Sequence, residues 1–350
     1  MKLHFIHLPG LFLILMLSCS QPQSKAPLLQ PEAVFTRSDT LHGTYLQNPL
    51  NPCRYAKLSF TKYGILCETA VAKDNYLFHL VDSLNANLIC AGGHKGRGPG
   101  EFLMVRGGGY DGKTGYFYAM DQMKNFISKM SVGRDSIKYI SSFVFPEDLY
   151  EAFYINDSIF AVLTFLPDQS ICIMDSKGNY LDKQPNKILD DPALDYKKIY
   201  FNTRIKVTPD RSRIIAVDYN YNIIKIYSIR DNRLYPEQDI RYFPVEWKAV
   251  NGRPVPEPTH VRGGGWLEVS DRYIYIVTLG QTQEEFMLEK RHNISYLLIF
   301  DIKGNFVKSY TLDHDVSGFT IVRDRYLYGT VIDPDGETRI IKYDLDVKDR

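Results

Sequence analysis

The sequence predicts an all-β fold, a six-bladed β-propeller of four-stranded antiparallel blades, standing after an N-terminal lipoprotein signal and a short tether. Three observations carry that reading. Six segments share one plan, an alternating apolar run ending in Asp or Ser, a polar turn and a second alternating run: "YLFHLVDSLNANLIC", "FISKMSVGRDSIKYI", "SICIMDSKGNYLDKQ", "IIKIYSIRDNRLYPE", "YLLIFDIKGNFVKSY" and "RIIKYDLDVKD". The residues closing the first run, Asp82, Ser131, Asp175, Ser228, Asp301 and Asp344, lie 49, 44, 53, 73 and 43 positions apart, so the unit is about fifty residues long. A further pair of short β runs precedes each hairpin, from "LSFTKYGILCETA" in the first unit to "FTIVRDRYLYGTVI" in the last. Period-two alternation around a polar turn is the signature of a hairpin. Two hairpins per unit and six units give radial sheets; a β-helix would need a shorter repeat, and a sandwich would not repeat.

The first element is an address. Lys2 is followed by the apolar run "LPGLFLILML", too short to span a bilayer and of the length of a signal h-region. The run ends in "MLSCS", which resembles a bacterial lipobox, with Ser18 before Cys19, the thiol that would be lipidated. A plain secretory signal cut near Ser20 is the alternative, though no Ala-x-Ala pattern is present. On this reading residues 1–18 are the signal, 19–34 a flexible proline-bearing tether and 35–350 the propeller. The protein is then secreted across the inner membrane and lipid-anchored in the cell envelope, with the outer membrane as the expected one.

Composition narrows the partners. Forty-two Lys and Arg against 41 Asp and Glu leave a net charge of +1, so no field draws in a polyanion and nucleic acid is not an expected partner. The 25 Tyr and 19 Phe favour strands. Those in "NYLFHL", "GYFYAMD", "RYIYIV" and "RYLYGT" alternate along strands, the spacing of side chains that fill the gaps between blades. Beyond Cys19, the cysteines Cys53, Cys67, Cys90 and Cys172 are equally compatible with two disulfides and with buried free thiols.

A ring of blades must close, because an open ring leaves a bare strand edge. The last hairpin runs to the C-terminus, so residues 35–46, "FTRSDTLHGTYL", are expected to complete the last blade or cover its edge.

The segment "GGHKGRGPGEF" lies at the crossing from the outer strand of the first unit to the inner strand of the second. It lacks G-x-x-x-x-G-K-[ST], has no G-x-G-x-x-G spacing and opens no helix, so its glycines are read as turn and close-approach residues rather than a phosphate cradle. "GRGPGEF" followed by "GYFYAMDQMKNFISKMS" resembles an NHL-type repeat, and the chain as a whole resembles the TolB-like six-bladed propeller lipoproteins of Gram-negative envelopes. That resemblance implies a binding or scaffolding module, usually with no assigned reaction; an envelope protein or a small anionic ligand is the expected partner, and no cofactor is expected.

Two motifs suggest where such a partner would sit. "VRGGGY" and "VRGGGW", beginning at Val105 and Val261, are 156 residues apart, three units, which places Arg106 and Arg262 on opposite walls of the ring, both just before an innermost strand. Arg54 and Arg204 stand at similar offsets, and His94, Lys95 and Arg97 share their face. Guanidinium groups around one mouth suit carboxylate or phosphate; the competing reading is that loop arginines are solvated or paired with a neighbouring acid.

The fifth unit carries two insertions on the same face, one bearing Trp247, which would either overhang the mouth or anchor its own loop by packing. No H-E-x-x-H, G-x-S-x-G or paired-His metal motif appears, and "DPDGE" from Asp333 reads as a hairpin turn. A metal-dependent hydrolase or lyase, with ligands such as His94, His260 and Glu151 gathered from separate blades, remains the alternative function.

Overall fold

The computed structural model describes residues 28–48, 55–69, 74–145, 149–165, 169–196, 199, 202–290 and 292–347. Six antiparallel sheets radiate from one axis. Blade 1 runs from its innermost strand outward through Tyr55–Thr61, Gly64–Thr69, Tyr76–Val81 and Leu88–His94. Blade 2 comprises Val105–Tyr110, Tyr116–Asp121, Phe126–Val132 and Ile137–Val144. Blade 3 comprises Leu149–Asn156, Ile159–Thr164, Ile171–Asp175 and Tyr180–Gln184. Blade 4 comprises Thr203–Val207, Arg213–Asp218, Ile223–Arg230 and Arg233–Arg241. Blade 5 is built from Trp266–Val269, Tyr273–Thr278, Ser295–Asp301 and Phe306–Leu312, and blade 6 from Ser317–Val322, Tyr326–Ile332 and Thr338–Asp344. The innermost strands abut one another in order, and that of blade 6 meets that of blade 1, so the ring is closed.

Closure uses the N-terminal segment. Thr44–Tyr45 pairs antiparallel with Thr338–Asp344 as the fourth strand of blade 6. Asp39–Leu41 adds a fifth strand to blade 5, parallel to Phe306–Leu312. The packed body begins before residue 35: Pro31–Thr36 is a short helix whose Val34 enters the core between blades 4 and 5, and the Leu29 amide donates to the Tyr242 carbonyl at 2.9 Å. The signal, Cys19 and most of the tether lie outside the described residues.

Turn chemistry explains the repeated Asp. Asp175 Oδ1 accepts the amides of Lys177 and Asn179, and Asp301 Oδ1 those of Lys303 and Asn305, all at 2.8–2.9 Å. Each carboxylate caps a turn whose Gly178 or Gly304 sits at φ near +86°, a region that favours glycine. Asp333 accepts the amides of Asp335 and Glu337 in the same manner, so "DPDGE" is a hairpin turn.

The core is divided into wedges between blades. The middle strands are apolar on both faces, and Ile159–Thr164 and Tyr273–Thr278 are buried throughout, because each blade is sandwiched by two others. Between blades 2 and 3, Tyr118 stacks on Tyr154 with centroids 4.2 Å apart, beside the fully buried Phe160. Burying one such ring contributes roughly 1.5–3 kcal/mol. Between blades 5 and 6, the Tyr275 hydroxyl reaches Asp324 at 2.9 Å, giving a buried phenol its partner. Cys67 and Cys90 are free thiols and Cys172 is buried, while Cys53 lies outside the described residues.

Two features depart from the repeat. The insertion between blades 4 and 5 forms its own hairpin, Trp247–Val250 with Arg253–Pro256. The insertion within blade 5 contains a second short helix, Gln283–Met287, started by a capping box in which the Thr282 side chain and Glu285 satisfy each other's amides.

Candidate functional site

The innermost strands fill the axis with charged and aromatic side chains. Lys57 of blade 1 crosses to donate to the Gly108 carbonyl of blade 2 at 2.7 Å and lies 5.0 Å from the centroid of Phe153 in blade 3. Lys206 of blade 4 stands 5.4 Å from the same ring and pairs with Glu268 of blade 5. Burial, followed by the nearby Lys206 charge, lowers the pKa of Lys57 to about 8. Glu68 faces this group from blade 1, and burial raises its carboxyl. The axis is therefore occupied by mutually compensating charges rather than by an open cationic funnel.

The arginines singled out from the sequence part company. Arg106 and Arg204 lie within their innermost strands rather than before them, each as the second residue. Both turn toward blade 3: Arg106 stacks on Tyr150 at 4.0 Å and donates to its hydroxyl at 2.6 Å and to Gln122 at 3.3 Å. Arg204 lies 5.5 Å from the same ring and pairs with Glu151 at 2.7 Å, whose second oxygen accepts the Ile205 amide at 3.0 Å. Burial works against the charge of Arg204, yet the Glu151 carboxylate, together with Tyr219 and Tyr150, offsets it and holds the pKa above the ordinary value. Arg54 lies outside the described residues. Of the three described arginines, two are committed to blade 3 and one, Arg262, is held elsewhere.

Arg262 precedes the innermost strand of blade 5, at the edge of a cavity of about 190 Å³. The glycines after it let the chain lie flat on its neighbours. A side chain on Gly263 would strike the Tyr242 hydroxyl and Asn222, and one on Gly264 would strike Ile276 and the Val277 backbone, whereas Gly265 faces open space. Gly263 donates to the Tyr219 carbonyl at 2.8 Å and Gly265 to that of Val277 at 2.9 Å. The guanidinium stacks on Phe286 of the capping-box helix at 3.4 Å and spends one donor on the Asn220 side chain at 3.1 Å. Among the described residues no carboxylate forms an ion pair with it, and burial lowers its pKa. The remaining wall comes from Asn202 and Tyr219 of blade 4, Trp266 and Val277 of blade 5, and Asp315 and Val316 leading into blade 6.

The other candidates sit apart from this cavity. His94 ends the outermost strand of blade 1, exposed, with Nδ1 2.9 Å from the Lys95 carbonyl oxygen and its ring edge-on to Tyr76. Lys95 and Arg97 are exposed in the glycine-rich crossing, whose carbonyls turn inward onto the Lys124 ammonium. Trp247 packs against the apolar cluster of Ile188, Leu189, Leu194 and Tyr221, so it anchors its hairpin. His260 is buried, with Nε2 2.5 Å from the Asn220 carbonyl oxygen, and burial lowers its pKa. His94, His260 and Glu151 thus have separate surroundings, and among the described residues no group of three or more His, Cys, Asp or Glu is placed to share a metal.

Two parts of the site carry sequence signals beyond those singled out above. Thr282 and Glu285 in "TQEE" have capping-box spacing, which marks the helix that brings Phe286 onto Arg262. Lys57, Lys206 and Glu268 are charges embedded in otherwise apolar inner runs, a pattern that marks residues facing an axis. Asp315 in "DHDVSG" has no local signal, because only the ring brings blade 6 beside Arg262.

Comparison with known proteins agrees with this architecture. A Bacteroides fragilis NCTC 9343 protein, named as a candidate for export, superposes with a TM-score of 0.58 at 12% identity, covering 93% of this chain and 98% of its own. A DUF4221-family protein of Bacteroides vulgatus ATCC 8482 gives a TM-score of 0.57 at 10% identity, covering 90% and 100%. Identities this low speak to the fold alone. No curated protein matches the chain. The family model described as TolB-like 6-blade propeller-like matches residues 40–324, and with its six closed blades the chain belongs to the TolB-like six-bladed propeller family.

Proposed function

We propose that this propeller is a non-catalytic binding module of the cell envelope, and that it captures a small acidic group at the blade 5 cavity. The observation that carries the reading is Arg262: a partly buried guanidinium, held flat by Phe286, with most of its donors uncommitted and no acid in an ion pair with it among the described residues. A planar fork of that kind binds a carboxylate or phosphate through paired, charge-assisted hydrogen bonds. The cavity of about 190 Å³ is smaller than the ~300–1,000 Å³ of a site for drug-sized ligands, so its occupant is a compact metabolite or one acidic group of a larger partner.

Placement in the envelope is supported by the signal-like first eighteen residues, by Cys19 in its lipobox-like setting and by the export named for the Bacteroides fragilis neighbour. Incorporation of labelled fatty acid into the wild type, lost in Cys19→Ser, tests the anchor; equal labelling of both removes it. For the site, native mass spectrometry of protein taken from its own membrane is expected to show a small acid-bearing species that is absent from Arg262→Met of unchanged thermal midpoint. The same species retained by the variant would overturn the assignment.

A further inference from the structure

We infer that the blade 5 cavity takes a zwitterion, an amino-acid-like molecule whose carboxylate meets Arg262, whose ammonium meets Asp315, and whose apolar body lies against Trp266 and Val316. The inference rests on the acid-binding reading above and narrows it. Arg262 and Asp315 line the same small cavity with opposite charges, yet neither is among the charges acting on the other. Each has capacity to spare: the guanidinium is committed to one amide oxygen and one ring face. Asp315 is an exposed residue whose carboxylate has no protein hydrogen-bond partner among the described residues, and of their charges His292 is the one that acts on it.

Two unpaired opposite charges across one pocket decide the ligand class. A simple anion that gains from Arg262 gains nothing from Asp315, and a simple cation meets the reverse, because both residues line the one pocket. A molecule carrying both signs gains at each end and completes the ion pairs that the protein leaves open. Partial burial at the pocket edge raises the Asp315 carboxyl although the residue as a whole is exposed, and an arriving ammonium offsets that cost. Trp266, Val277 and Val316 then supply a wall for an apolar side chain rather than a polar one.

The test uses three matched probes, leucine, 4-methylpentanoate and 3-methylbutylamine, titrated calorimetrically into detergent-solubilised full-length protein. Leucine is expected to bind at least about tenfold more tightly than either singly charged probe, the equivalent of one charge-assisted contact. Asp315→Asn is expected to remove that preference over 4-methylpentanoate, and Arg262→Met to remove binding of both acids. Should Arg262→Met lower the thermal midpoint, Arg262→Lys, which keeps the charge and loses the fork, is expected to weaken leucine while the fold is kept. Equal binding of leucine and 4-methylpentanoate, still dependent on Arg262, would overturn the zwitterion and leave the acid-binding reading standing. Leucine binding indifferent to Arg262 would overturn both, and no binding by any of the three would overturn the zwitterion.

Discussion

The ammonium of Lys124 lies 2.9 Å from the carbonyl oxygen of Glu101, and the carbonyls of Gly98 and Arg97 complete its cage at 3.1 and 3.3 Å. The glycine-rich crossing therefore points its acceptors inward, the opposite polarity to a loop that cradles phosphate with amides. Asp121 holds the same corner from the other side, accepting the amides of Leu103 at 2.6 Å and Met123 at 2.9 Å. Lys124→Met leaves three carbonyls without their cation. A loss of about 1–2 kcal/mol is expected for a partly exposed charged donor, read by urea unfolding; an unchanged midpoint would show the cage to be incidental.

The pair of Arg204 and Glu151 yields a second prediction. Glu151 is only 5% exposed and its two oxygens are used by Arg204 and the Ile205 amide. Arg204→Met strands a buried carboxylate, at a cost of about 2–3 kcal/mol once the partial exposure of the arginine is allowed for. The double variant Arg204→Met, Glu151→Gln is expected to recover a good part of that loss in urea unfolding. If the double variant is less stable than Arg204→Met alone, the carboxylate is not the source of the cost.

The blade plan was legible because it is written locally. Alternation gives each strand its faces, and the carboxylates of Asp175 and Asp301 cap turns that need glycine at Gly178 and Gly304. Completion of blade 6 by Thr44–Tyr45 was also legible, since an edge without a partner is a physical demand, whereas the parallel fifth strand that Asp39–Leu41 adds to blade 5 was not. The site was legible only in fragments. Offsets in sequence bring Arg106 and Arg262 to opposite blades, but not the identity of what stands beside them. Tyr150 and Glu151 take up Arg106 and Arg204 because the innermost strand of blade 3 lies between those of blades 2 and 4, a three-dimensional adjacency with no local trace. The helix that clamps Arg262 had a readable cap in Thr282 and Glu285, whereas Asp315 had none.

Lys57 makes stability depend on pH in a stated direction. Its folded pKa is about 8 against an ordinary 10.5, lowered first by burial and then by Lys206. Between those values the unfolded chain holds more protons than the folded one, so stability rises with pH across that window; below it, both states are protonated and the full cost of the buried charge is felt. The gain is at most ~3 kcal/mol from the size of the shift. Urea unfolding of wild type and Lys57→Met at pH 7 and pH 10 isolates this group from the tyrosines that titrate nearby. Wild type is expected to gain on the variant as pH rises, and a constant difference would mean that the Lys57 amine is not buried as charged.

Leu46 tests whether the ring closes as one unit. Its amide donates to the Ile340 carbonyl at 2.9 Å just past the two-residue strand that completes blade 6, and its side chain is 6% exposed among Leu58, Ile65 and Tyr328 between blades 6 and 1. Leu46→Ala opens a cavity at the seam, at a cost of about 2–4 kcal/mol for a well-packed leucine. Because the innermost strands of blades 6 and 1 also abut, weakening the outer seam loads the inner one, and the whole β-sheet signal is expected to melt in one transition at a lower midpoint. An early, separate transition confined to blade 6, seen as selective hydrogen exchange of Thr338–Asp344, would show instead that the N-terminal strand only covers an edge and does not hold the ring shut.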